Sequence, residues 1–218
     1  MTFGDYVVEY GLQRSEGALL RYLADAYKTL VQTVPESYRD ERLDDVIAFL
    51  RATVRGADAS LLDEWERMKD PAYRAAPPDQ RAALAALPPP APARADADPR
   101  AFAARVRNEL HRLLRALAFK RWEDAQAAIR DPGGSWTPER LESEMAPYFA
   151  EHAAIDLRPA ARLPHNTFLE RTGPSTYSAR QRIVDPEGEV DWVIECAVDV
   201  LAERGEDAPL LELLRVGT

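Results

Sequence analysis

VDWVIECAVDV, residues 190–200, is the stretch that decides the fold. Val190, Trp192, Ile194, Cys196, Val198 and Val200 alternate with Asp191, Glu195 and Asp199. An extended chain puts successive side chains on opposite faces, so the apolar set shares one side and the carboxylates the other. Such a strand has one buried face and one wet face. Just ahead of it, Asp185-Pro186-Glu187-Gly188 has the composition of a tight turn, and residues 176–184 form another extended segment. The two should pair as an antiparallel hairpin. Residues 166–170 read as a short strand before the hairpin, and 210–216 as a last strand after the polar loop 203–209. Four strands in succession make an antiparallel meander.

Further toward the N-terminus the apolar period changes from 2 to 3.6. Asp98-Pro99 is a cap followed by proline at the first helical position, and Phe102, Val106, Leu110, Leu113, Leu114 and Leu117 run down one face beyond it. Residues 122–129 read as a second helix, closed by Asp131-Pro132-Gly133-Gly134. Thr137-Pro138 repeats the capping device for a helix carrying Leu141, Met145, Tyr148 and Phe149, which Pro147 should shorten or bend. Helices followed by a meander define an α+β domain with the helices laid on one side of a curved sheet.

A separate helical segment comes first. In GLQRSEGALLRYLADAYKTL, 11–30, Ser15 is a candidate cap, Leu19, Leu23, Ala26, Tyr27 and Leu30 form a stripe continued by Val34, and Leu20, Tyr22 and Val31 widen it. After Pro35 the period resumes with Leu43, Val46, Ile47, Leu50 and Val54, and Gly56 supplies a stop. Leu61, Leu62, Trp65 and Met68 outline a third helix. Eight prolines between Pro71 and Pro99 then exclude a central strand or a long helix. The expected organisation is a helical arm at 1–70, a Pro/Ala-rich linker at 71–98 with one brief helix near 81–87, and the α+β domain at 99–218.

Composition bounds the function. A formal charge of −9 and a pI near 5.0 argue against wrapping nucleic acid, though not against one basic face. The single cysteine, Cys196, allows no internal disulfide. With no signal segment and no apolar run of about 18 residues, the chain is expected to be cytoplasmic.

Arg14-Ser15-Glu16-Gly17, Leu20-Arg21-Tyr22-Leu23, Tyr27-Lys28, Asp185-Pro186-Glu187-Gly188, Asp191-Trp192 and Val198-Asp199 together resemble the C-terminal domain of unknown function of bacterial superkiller-type DEAD/DEAH-box helicases. The likeness spans 3–69 and 100 to the end, and leaves the linker without a counterpart. In that family a histidine often lies between the aspartates of the hairpin; this chain has Val190 there. The resemblance implies a module that accompanies RecA-like motor domains, in cis or in trans, and guides RNA or holds an assembly together. It also implies that the 14–27 helix lies beside a motor domain. No phosphate-cradling G-x-x-x-x-G-K-[ST] occurs in the chain, so it is not itself the motor and no catalytic residue or cofactor is assigned.

Arg105, Arg107, Arg112, Arg115, Lys120 and Arg121 are the one basic concentration, and phosphate contacts need such clustered cations. Arg105, Arg112, Arg115 and Arg121 are the RNA-contact candidates; the simpler account is a solvated helix face. Asp191, Glu195 and Asp199 invite an acid/base reading, but residues four apart on a strand are about 13 Å apart, too far to act on one bond. Helices over that face would make it a pocket lining, as in nuclear transport factor, cystatin-like or polyketide-cyclase cones, with Tyr148, His152, Arg182, Asp191, Glu195 and Asp199 as candidates. That alternative is a small-ligand-binding or lyase/isomerase-like domain, and fold analogy alone assigns no activity. A homodimer joined through the apolar sheet face or the Trp136 region is a third reading. His111 reads as a helix-surface residue. His152 and His165 lack the spacing of a metal motif, so no metal is expected. Trp122 and Trp192 are assigned to the core, while Trp65 and Trp136 could face a partner.

Overall fold

The structure is a computed structural model that describes residues 3–57, 62, 65, 95–188, 190–202 and 208–218. The chain divides into two units, 1–39 with 46–93 and 40–45 with 94–218. The expected linker lies almost wholly outside the described residues.

The first unit contains α1 (Phe3–Glu9), α2 (Glu16–Thr33) and most of α3 (Glu41–Ala57). Ser15 precedes α2 but its side chain makes no capping hydrogen bond; a 3-10 turn at Gln13–Ser15 leads into the helix instead. At the other end Val34 is extended, as the residue before a proline tends to be. The Arg39 guanidinium donates to the carbonyls of Val34 (3.0 Å) and Val31 (2.8 Å), satisfying acceptors that a helix end leaves open. α3 runs one residue past Gly56. Ala24, Tyr27, Leu50, Val54, Leu62 and Trp65 form this unit's core, with the rings of Tyr27 and Trp65 edge to face at 5.6 Å. Trp65 is therefore an internal anchor, not a partner-facing residue. Tyr22 is 74% exposed, so the wide stripe of α2 is only partly used inside the unit.

In the second unit α4 (Pro99–Ala118), α5 (Trp122–Ala127) and α6 (Pro138–Glu151) precede β1 (Thr167–Arg171), β2 (Thr176–Ile183), β3 (Trp192–Asp199) and β4 (Leu211–Gly217). The strands lie in chain order and every pair is antiparallel, with a bulge between Glu195 and Cys196 where β4 pairs. This is the α+β meander the sequence implies. Both expected caps form: Asp98 accepts from the amides of Arg100 and Ala101, and Thr137 from Arg140. α6 continues through Pro147 to Glu151. Pro147 is exposed near the helix end, where its missing N–H removes one hydrogen bond of the helix.

Trp192, Ile194, Cys196 and Val198 on β3, with Ala179, Ile183, Leu211, Leu213 and Val216, share one core with Phe102, Val106, Leu110, Leu113, Leu114 and Leu117 of α4 and Leu141, Met145 and Tyr148 of α6. The helices cover the apolar sheet face. Trp136 is buried in the same core, and its indole N–H donates to the Leu213 carbonyl at 2.6 Å. Neither surface named for the dimer reading is thus on the outside of the unit. His111 also departs from expectation: its Nε2 is buried, with no hydrogen-bond partner among the described residues.

Candidate functional site

Two places in the second unit bring chemically useful groups together. The first is where α6 ends beside the turn between β2 and β3. His152 caps α6, its amide donating to the Tyr148 carbonyl at 2.8 Å, and the imidazole lies against the Tyr148 ring at 4.8 Å between centroids. Asp185 opens the turn, whose closing bond runs from the Gly188 amide to the Asp185 carbonyl (3.1 Å). Proline in the second position and a Gly188 φ of +89° suit that turn. His152 Nδ1 lies 3.3 Å from Asp185 Oδ2, with the carboxylate buried and the imidazole 14% exposed. Glu187 adds a third donor, and ligand atoms of His152, Asp185 and Glu187 all fall within 4.8 Å of one another. An open cleft of about 470 Å³ borders them, lined by Glu151, His152, Ala153, Glu187, Asp191, Trp192 and Thr218.

Negative charge dominates this corner. Burial, then Asp185, Glu187 and Asp156, push the Tyr148 phenol far above its ordinary range, while its O–H donates to the Ala154 carbonyl at 3.0 Å. Arg158 clasps Asp156, its Nε and a terminal nitrogen reaching both carboxylate oxygens at 2.9–3.1 Å, and these hydrogen bonds hold the Asp156 carboxyl below the usual range. The Asp156 amide donates to the Val184 carbonyl at 2.7 Å, which fixes the loop beside the turn.

Of the six pocket candidates, this arrangement gathers Tyr148, His152 and Asp191. Arg182, Glu195 and Asp199 lie on the sheet face away from the helices: Arg182 stands over the Phe168 ring at 4.9 Å, and Glu195 is paired with Arg215 at 3.2 Å. The side facing the helices is packed with apolar residues, with Gln181 the buried polar side chain of β2 there, so the described residues form no polar-lined cone between helices and sheet. Sequence spacing missed Asp185 and Glu187, because only the turn's position against α6 brings them to His152. Cys196 is buried, and loss of solvent pushes its thiol up to about 12, which suits a core residue and not a nucleophile.

The second place is the C-terminal end of α4. The Lys120 amide donates to the Leu117 carbonyl and the Arg121 amide to Ala116, with Lys120 at φ +54°: a Schellman stop with lysine where glycine is usual. The stop displays Phe119, 56% exposed, with the guanidinium carbons of Arg115 and Arg121 at 5.8 and 6.0 Å from its ring centre. Lys120 Nζ sits over the Phe149 ring at 4.4 Å. Arg112 is exposed one turn back on the same helix. Arg105 is engaged with Glu109 at 3.1 Å, and Arg121 lies 3.8 Å from Asp124. Arg107 leaves the set: it is buried and donates to Asp45 at 2.7 Å. Among the RNA-contact candidates, then, Arg115 and Arg121 converge on an aromatic, Arg112 is near, and Arg105 is held apart. Phe119 itself was not singled out in the sequence, since an aromatic at a helix end ordinarily turns inward.

The fold and these two places define an α+β domain that displays a cation-flanked aromatic and an acidic, histidine-bearing cleft. The chain belongs to the family described as domain of unknown function DUF3516, which matches residues 1–216. No curated protein and no solved structure matches it.

Proposed function

We propose that the chain is a non-catalytic accessory module that binds single-stranded RNA and works with superkiller-type helicase motor domains, in cis or in trans. The observation that carries this reading is Phe119, exposed at the end of α4 between Arg115 and Arg121. A solvated aromatic beside two guanidinium groups is suited to stacking on a base while the cations meet neighbouring phosphates. That α4 ends in a left-handed lysine instead of a glycine also supports it, because such conformations cost about 1 kcal/mol and concentrate at functional sites. The motor association rests on the resemblance of the 14–28 and 185–199 segments to helicase C-terminal domains.

Fluorescence anisotropy with a labelled twelve-nucleotide uridine strand tests the reading. Three phosphate contacts, from Arg112, Arg115 and Arg121, give a log–log salt slope of about −2, so affinity should fall about 16-fold between 50 and 200 mM salt. Phe119→Ala should weaken binding about tenfold, the worth of one stacked base. Absence of binding at 50 mM salt, or unchanged affinity in Phe119→Ala, removes the proposal.

A further inference from the structure

From the His152, Asp185 and Glu187 cluster we infer a second site, independent of RNA, that binds one divalent transition-metal ion. Three observations lead there. The donors are one imidazole and two carboxylates from two segments of the fold, all within 4.8 Å of one another. The tightest pair, His152 Nδ1 and Asp185 Oδ2, stands at 3.3 Å. Zinc bonds of about 2.0–2.1 Å in a tetrahedral shell place neighbouring donors about 3.3–3.4 Å apart, so this edge needs no rearrangement. Glu187 is exposed on the turn, with a carboxylate oxygen within 4.8 Å of both other donors. Finally, Glu151 and Asp191 line the same cleft, and none of its described lining residues is a lysine or arginine. Three carboxylate side chains and one histidine therefore line this opening, with the buried Asp185 carboxylate behind His152. An imidazole in the set favours zinc, or cobalt in its place, over magnesium, calcium or manganese, which suit oxygen ligands.

Calorimetric titration of zinc chloride into the tag-free full chain is the test, with cobalt absorption as a second readout of coordination. The expected result is one ion per chain with micromolar affinity, weakened at least tenfold by Glu187→Gln and by Asp185→Asn and unchanged by His165→Ala. Glu187→Gln alters only an exposed turn residue, so its effect is read on folded protein. The inference is overturned if the native chain takes up no zinc at several hundred micromolar, if both variants bind like the native chain, or if His165→Ala abolishes binding. The first of these results would leave His152 and Asp185 as a plain ion pair.

Discussion

Lowering the pH should destabilise the protein through His111, by an amount the structure sets. The residue is half-buried on α4, and its Nε2 is shut off from solvent with no hydrogen-bond partner among the described residues. Burial first, then Arg162 and Arg107, lowers its pKa to about 4 from the ordinary 6.5. The folded state thus binds the proton less readily than the unfolded state. The stability this provides is complete above pH 6.5 and is lost as pH falls toward 4. Linkage between those two values gives a loss of about 2 kcal/mol from pH 7 to pH 5. Glu109 and Asp45 act in the opposite sense, since burial raises both carboxyls and their protonation favours the fold. Comparing the native chain with His111→Leu cancels them. Urea unfolding at pH 7 and pH 5 should show the native chain losing about 2 kcal/mol more than the variant over that interval. Equal pH responses in the two proteins would refute the reasoning.

Two further substitutions test the second unit. Trp136→Phe removes the donor to the Leu213 carbonyl and strands a buried acceptor, so the urea midpoint should drop by the equivalent of about 1–3 kcal/mol. Lys120→Gly relieves about 1 kcal/mol of left-handed backbone strain but removes the cation over Phe149, worth about 0.5–1 kcal/mol. Thermal stability should therefore move little; a variant whose urea midpoint shifts by the equivalent of more than about 2 kcal/mol would show that the two effects do not offset each other.

The fold was legible because its main signals are local and periodic. Alternation in 190–200, the turn at 185–188 and the Asp98-Pro99 and Thr137-Pro138 caps each specify a conformation from residues close in sequence. Ser15 looked like an equally good cap, yet its oxygen makes no such bond, because the preceding 3-10 turn already carries the chain into α2. The candidate sites were less legible because they depend on contacts between distant segments. Arg107 resembles its arginine neighbours in sequence but is buried against Asp45, 62 positions away. Trp136 follows a glycine-rich turn, as a surface residue would, yet it reaches a β4 carbonyl 77 positions on. Glu195 and Asp199 were correctly placed opposite the apolar face, but the helices chose the apolar side, as burial of hydrocarbon requires. Which helix end meets which turn is a tertiary fact, and His152 with Asp185 and Glu187 became visible only through it.

Photocrosslinking most directly tests the claim that the end of α4 is a single-stranded RNA surface. A 4-thiouridine strand bound to the intact chain at 50 mM salt, irradiated and digested with trypsin, should leave its adduct on the peptide 116–120, which carries Phe119. Adducts confined to the outer sheet face around Phe168 and Arg182, or no adduct at all, would contradict the account.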